Sequence, residues 1–535
     1  MVAGSAVAAA LVPAGGASGR SPQAPHLLDL SVDNGATPFA GDGRLLTTVS
    51  PNGDGFRDSA VVHFTLDRRA TVSMAVVRTD TVRSYRLRQA TIWRTTATFR
   101  PGPHTLVWRP TRSTPPRTYI LRLAVRDAAG RTRIYGTHGP AKPVDAPVVR
   151  VQGVDLGFGR RSYAPGQVAA IRLATDARSV RLQAFDYRPT SPGAPRDPQT
   201  SGRAMTAPIT LDWRAHRSRP STVRFVRTGD WPSGLYFLRA QANDGRLGYA
   251  PFIVRPRTLG QHRVAVVLST NTWQAYNFTD ENGDGWGDSW YVSGRIHAVD
   301  LERPFLDFGV PYRFKDWDLD FVAWLAKTGR GADFLSDDDL EGISGERLAQ
   351  AYDLIVFPGH EEYVTASAYD HVRRYRDLGG NLVFLSANNF FWSARRHGEQ
   401  LVKGRKWRQL GRPEAGLVGV QYVGSDSGAH EGPYVVTDAE AEPWIFAGTG
   451  LTDGATFGRY GVEIDARSPA SPPETVVLAR IPSLLRSGAS AEMTYYEAPD
   501  GAKVFAAGAL DFAASIDDPS VSRLVANLWD RLSQP

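Results

Sequence analysis

Val264–Leu268 reads VAVVL, five apolar residues without a polar break. An uninterrupted run of that length is what a strand buried on both faces requires, and 354–357 (LIVF) and 382–385 (LVFL) repeat it. Between these runs, 317–327 places Phe321, Trp324 and Leu325 on one side of a helix, and 366–378 is a second helical pattern closed by Gly379 and Gly380. A further strand is expected over 503–507 and a last helix over 520–532. Strands alternating with helices predict βαβ units, so 260–535 is expected to be an α/β domain with a mainly parallel sheet.

Upstream the grammar is different. Residues 60–66 (AVVHFTL), 71–77 (TVSMAVV), 104–108 and 119–125 (YILRLAV) are short runs of period two, separated by Pro, Gly and Asp turns. That pattern predicts an Ig-like β-sandwich over 27–145. A second series, 169–173, 180–185 and 235–240, predicts another sandwich over 148–256, after the linker 139–144 (GPAKPV). The two regions share a local pattern, 117–127 (RTYILRLAVRD) against 234–244 (GLYFLRAQAND), which suits related domains in tandem. A chain of 535 residues exceeds what one hydrophobic core organises.

Composition removes several classes. The net charge is +7, but only six of the 62 basic residues are Lys, and the Arg residues are spread along the chain among Asp and Glu. A nucleic-acid binder concentrates them in a stripe, so none is expected as partner. The absence of Cys excludes disulfides, zinc thiolates and a cysteine nucleophile. Residues 2–19, small and apolar and ending in Ala, Gly and Ser, resemble the core and cleavage region of a secretory signal, with a disordered tail as the alternative. Residues 1–26 are therefore set apart, and a secreted or cell-surface protein is expected. No later run is long enough for a membrane helix.

In open sheets with parallel strands, ligands bind beyond the strands' carboxyl ends. There the sequence has 271–277 (NTWQAYN), 359–363 (GHEEY) and 388–392 (NNFFW), polar and aromatic mixtures unusual for plain connectors. At these residues, together with 337–340 and 504–512 (VFAAGALDF), the chain resembles the C-terminal domain of the N,N-dimethylformamidase large subunit family. The resemblance implies a glutamine amidotransferase-like or flavodoxin-like arrangement. It also implies hydrolysis of a small amide or related C–N bond, with one iron held by two tyrosinates and a glutamate. Carried over by motif, these ligands are Tyr236, Tyr276 and Glu362. His360 becomes their neighbour in the site, Asn388 a substrate-orienting amide and Glu497 the catalytic carboxylate. Phenolate and carboxylate are hard oxygen donors that suit a Lewis-acidic ferric ion, and a glutamate raised by burial suits proton transfer. The family's enzymes also allow a small partner subunit, and a homo-oligomer stays open.

Bland readings stand beside these. Tyr119 occupies in the first β region the place of Tyr236 in the second, so Tyr236 also reads as a sandwich tyrosine, and Tyr276 and Trp273 also read as packing aromatics over the sheet edge. His360 with Glu362 also reads as a hydrogen-bonded loop, and Glu497, just before Pro499, Asp500 and Gly501, as a solvated residue at a hairpin. Residues 280–288 (DENGDGWGD) space Asp280, Asn282, Asp284 and Asp288 as in a calcium loop, with Tyr291 where an EF-hand has Glu. Residues 50–58 (SPNGDGFRD) repeat the register with Asn52, Asp54 and Asp58, and resemble loops of bacterial surface Ig-like domains. The chain is thus read as an exported, metal-dependent amide hydrolase, with a noncatalytic surface binding protein carrying Ig-like spacers as the alternative.

Overall fold

Strand Ala60–Leu66 alternates buried and half-buried side chains along its whole length, as a strand with one face on a core must. In the computed structural model, which describes residues 23–83, 85–187, 202–306 and 309–534, it lies between Leu27–Asp33 and Gly102–Trp108. This sheet packs on a second one ordered Leu46–Val49, Val148–Val151, Arg117–Arg126, Ala70–Arg83, Arg86–Phe99, and Trp108, Tyr119 and Val72 are buried between them. The strand Val148–Val151, placed by its sequence beyond the linker, pairs parallel with Leu46–Val49 and completes the first sandwich. The second sandwich sets Asp155–Phe158, Val168–Ala174 and Ser221–Arg227 against a sheet centred on Gly234–Ala242. The signal-like run 2–19 lies outside the described residues.

The C-terminal half departs from expectation. Asp333–Ser336, Val264–Leu268, Leu354–Phe357, Asn381–Phe384 and Lys503–Ala506 are parallel neighbours. Beyond Lys503–Ala506 the same sheet continues antiparallel through Ala491–Glu497, Val476–Ile481, Glu431–Val436, Thr456–Ala466 and Gln421–Ser425. The sheet is mixed, and the described residues are 40% strand and 16% helix. The expected mainly parallel α/β domain is therefore corrected: apolar runs mark only its parallel strands, while the rest is built from hairpins whose half-polar strands lack that signature. Helices Asp320–Thr328, Ala366–Arg376 and Pro519–Leu532 form where their patterns placed them.

Both Asp-Gly loops join domains. Around 280–288, Asp280 accepts the amides of Gly283 (2.7 Å) and Gly285 (2.8 Å), and Asp284 accepts those of Trp286 and Ala141. Asp288 accepts from Glu281 N and from Asn282 Nδ2, both at 2.7 Å. The loop is seated on the first sandwich, where Thr79 donates to Gly285 O and Trp286 Nε1 to His138 O. Gly285 has φ +83°, and a Cβ there would meet Ile120 Cγ1 at 2.4 Å, so a glycine is required twice over. In the other loop Arg57, fully buried, donates to Arg217 O and Thr37 O, tying the first sandwich to the second. The calcium-spaced oxygens are thus turned to amides, and among the described residues no three His, Asp or Glu side chains are grouped to hold a metal ion.

Candidate functional site

The loops after the parallel strands converge. Thr270–Ala275 follows Val264–Leu268 as a short buried helix, and Tyr276 caps it. The Tyr276 hydroxyl donates to Glu362 Oε2, and His360 Nε2 lies 3.3 Å from that same oxygen. His360 Nδ1 stands 3.1 Å from the Ala387 carbonyl, an acceptor only, so Nδ1 carries a proton and Nε2 faces the carboxylates. Asn388, held at φ +57°, gives its backbone N–H to both oxygens of Asp465 at 2.9 Å. Its Nδ2 donates to Glu463 Oε2, also at 2.9 Å.

Glu463 and Asp465 come from the antiparallel strand Thr456–Ala466 and complete what the parallel strands begin. Glu463 Oε2 is 3.6 Å from His360 Nε2. Neither acid was singled out from sequence. The signal was present in Gly461 to Ala466 (GVEIDA), where two acids at period two interrupt an apolar strand and so share one face.

The electrostatics follow from burial and neighbours. Burial alone would lower His360, but Glu362 and Glu463 outweigh it and raise the imidazole to about 9, so it is a cation at neutral pH. Burial pushes Glu362 up, and His360 and the Tyr276 hydroxyl more than reverse this, leaving it ionised. Glu463, raised by burial and by Glu362 against the pull of His360, stands at about 7. Tyr276 is raised well above its ordinary value by burial and then by Glu362, so it stays a phenol. Behind this group lie more buried acids. Burial and then the charge of Asp337 push Glu361 well up, and burial alone raises Asp318 to about 8.

In front of the acids is a cavity of about 360 Å³ walled by Tyr276, Tyr291, Tyr312 and Trp317, with His360 and Glu463 on its lining. Ring centroids of Tyr312 and Trp317 are 5.8 Å apart, and those of Trp317 and His360 are 5.0 Å apart. Tyr85, at the tip of the hairpin formed by Ala70–Arg83 and Arg86–Phe99, reaches the same cavity from the first sandwich. A larger groove of about 540 Å³ beside Arg255, Arg257 and Arg347 contains none of these groups, and two of its arginines are already paired with Asp339 and Asp230.

A family model described as N,N-dimethylformamidase beta subunit-like, C-terminal, matches residues 190–523, more than half of the chain. The chain belongs to this family. Among curated proteins, the N,N-dimethylformamidase beta subunit of Paracoccus aminophilus is 26% identical over 35% of this chain and 28% of its own length. The chain thus spans little more than a quarter of that relative. Among solved structures, Escherichia coli alpha-2-macroglobulin activated by porcine elastase overlaps with a TM-score of 0.16 at 8% identity, covering 44% of this chain and 20% of that one. So slight an overlap carries no argument.

Of the residues that the family resemblance singles out, Tyr276, His360, Glu362 and Asn388 meet. Tyr236 does not join them. Its hydroxyl donates to Pro232 O at 2.8 Å, its ring stacks on Trp231 at 5.2 Å, and it belongs to the second sandwich's core. Tyr119 repeats the arrangement on Pro115 O at 2.9 Å, which makes both of them tyrosine corners of their sandwiches. Glu497 is exposed at the end of its strand, where it accepts from Tyr495 Oη at 2.7 Å and pairs in register with Lys503. Tyr236, its hydroxyl held at Pro232, does not supply the second phenol of the implied iron set, and the phenol that hydrogen-bonds with both Tyr276 and Glu362 is Tyr363.

Proposed function

We propose that the protein hydrolyses a small amide, with Glu463 moving the proton and His360 steadying the oxyanion. The observation that carries this reading is the convergence of His360 and Glu463 on the lining of an aromatic cavity, with Glu362 against His360 and Asn388 bonded to Glu463. Small-molecule sites have this character, mostly apolar with a few convergent polar groups.

Water placed beside Glu463 gives up a proton to its carboxylate as the water oxygen bonds to the amide carbon. A carboxyl group near 7 accepts and returns a proton with little penalty at neutral pH. The Nε2–H of imidazolium His360 faces the oxygen that becomes negative, and a fixed cationic donor is worth most in a dry site. Glu463 then returns the proton to nitrogen, the C–N bond breaks, and a carboxylic acid and an amine leave. Glu362, ionised and bridging Tyr276 and His360, keeps the imidazole charged and oriented. Asn388 aims the Glu463 carboxylate.

The name of the Paracoccus relative makes N,N-dimethylformamide the first substrate to try. Dimethylamine released by the purified chain, and lost in Glu463→Gln without loss of thermal stability, supports the proposal. Release of no amine from any small amide favours the noncatalytic binding protein. That relative is one subunit of an enzyme, so we further propose a partner subunit, tested by co-purification. Export is proposed from residues 2–19, and recovery of a shortened chain outside the cytoplasm tests it.

A further inference from the structure

The family match begins at residue 190, yet Tyr85 and Leu87, which lie in the first sandwich, line the cavity. We propose that this hairpin tip is a specificity-determining wall, added from outside the matched region, that limits the site to amides with compact N-alkyl groups. The inference rests on the amide-hydrolase reading and names its substrate class.

Four contacts show that the tip is built into the pocket and does not merely lie across it. The Tyr85 hydroxyl donates to Asp511 Oδ2, and Asp511 Oδ1 accepts from Trp317 Nε1, so one carboxylate fixes two walls of the cavity. Tyr291, a third wall, donates to the Tyr85 carbonyl. The Arg313 guanidinium lies 4.2 Å from the Tyr85 ring centroid. On the far side Gly428 has φ +70°, and a Cβ there would come within 2.8 Å of Tyr85 Cδ2, so the backbone has yielded space for the ring. A hairpin extending beyond its sandwich gains little from its own strands. The polar and aromatic contacts at its tip hold it over the pocket.

Chemistry sets what the wall admits. The lining is largely aromatic, with His360 and Glu463 as its acid–base pair and Arg86, Ser425 and Ser427 as further polar members, and its volume of about 360 Å³ is near the lower end for small-molecule sites, roughly 300 to 1,000 Å³. An amide that presents its carbonyl to His360 directs its N-substituents at the rings of Tyr85, Tyr291 and Tyr312. In an apolar pocket that is filled, one further methylene changes selectivity by about 10- to 200-fold. Tyr85 is the member whose removal opens the box towards the first sandwich.

The test uses the full chain and formamides carrying N,N-dimethyl, diethyl, dipropyl and dibutyl groups. Binding is read by quenching of tryptophan fluorescence, Trp317 being in the wall, and turnover by amine release. The wild type is expected to weaken at least about tenfold from dimethyl to dipropyl in both affinity and kcat/KM. Tyr85→Ala should recover about tenfold for the larger members relative to dimethyl, chiefly in KM, whereas Tyr85→Phe, which keeps the ring, should retain the wild-type ranking. Equal loss for every amide in Tyr85→Ala, or an unchanged ranking, overturns the wall. If Tyr85→Ala does not fold, Leu87→Ala is read in the same way. Binding with the expected ranking but no turnover by the wild type refutes hydrolysis and leaves the wall standing. Quenching by no member refutes both.

Discussion

Glu463 Oε2 stands 3.6 Å from His360 Nε2, and the strand that brings Glu463 there belongs to the antiparallel part of the sheet, whereas His360 follows a parallel strand. The site is therefore made where the two halves of the mixed sheet meet. Glu463→Gln keeps the amide contact to Asn388 but removes the titrating group, so hydrolysis should fall by about two to four orders of magnitude with melting unchanged. Glu497→Gln, at an exposed strand end, should leave the rate within about twofold of wild type. Amine release from the two variants side by side decides between the carboxylates.

The same pair sets a pH profile. Glu463 must be ionised to accept a proton and is raised to about 7, and His360 must be charged and is raised to about 9. The rate kcat/KM should rise through about 7, and fall through about 9, giving a bell whose limbs belong to the coupled cluster and not to one residue. Glu463→Gln should abolish the acidic limb. A profile flat between 6 and 10 would remove both groups from the reaction.

Tyr236 separates placement from motif. Its hydroxyl is bonded inside the second sandwich, so Tyr236→Phe should lower stability by about 1 kcal/mol, the net worth of a buried hydrogen bond, and leave amine release and metal content unchanged. Thermal melting, activity and elemental analysis give the answer together. Loss of metal or activity without loss of stability would return Tyr236 to the site.

Tyr236 and Tyr276 each have a packing reading beside the site reading, and local against distant information explains why only Tyr276 reaches the site. Segments 271–277, 359–363 and 388–392 each follow a strand whose apolar run is legible, and the rule that such loops converge needs no knowledge of the partner strand. Tyr236 sits within a strand, where the same side chain serves a sandwich core, and its resemblance to Tyr119 carried the correct placement. Glu463 depends on a register between hairpins distant in sequence, and Tyr85 on the docking of one domain upon another. Neither relation has a local pattern. The parallel strands were readable because both their faces are buried. The antiparallel ones, with exposed and half-buried positions as in Gln421–Ser425, lack that signature.

The loop 280–288 yields a prediction about calcium. Asp280, Asp284 and Asp288 already accept amides, and Asp280, raised to about 7 by burial, has its carboxyl between Gly283 N and Gly285 N. A chelator should therefore leave the melting temperature unchanged. Thr79→Val, which removes the donor to Gly285 O across the domain junction, should lower it. A fall in melting temperature with chelator, restored by calcium, would show that the loop rearranges to take the ion.

Asp318 tests the buried acids behind the site. It is wholly enclosed, its Oδ2 accepts from Trp273 Nε1 at 3.1 Å, and burial raises it from 3.8 to about 8. Between those values the folded protein holds a proton that the unfolded chain has released, so unfolding releases that proton and stability must fall as pH rises from about 4 to about 8. Below that window both states are protonated, and above it both are ionised, so the contribution is flat at either end. Asp318→Asn keeps an oxygen for Trp273, and its amide lies near Ser269 Oγ and Trp317 O, which surround the same point at Gly359. The variant should therefore show a shallower decline than the wild type over pH 4 to 8, and be the more stable of the two at pH 8. Denaturant midpoints measured across that range read the difference directly, and neighbouring acids such as Asp465, also raised to about 8, contribute equally to both proteins. Parallel curves would mean that Asp318 is ionised in the folded state, with the His360 cation as the charge that keeps it so.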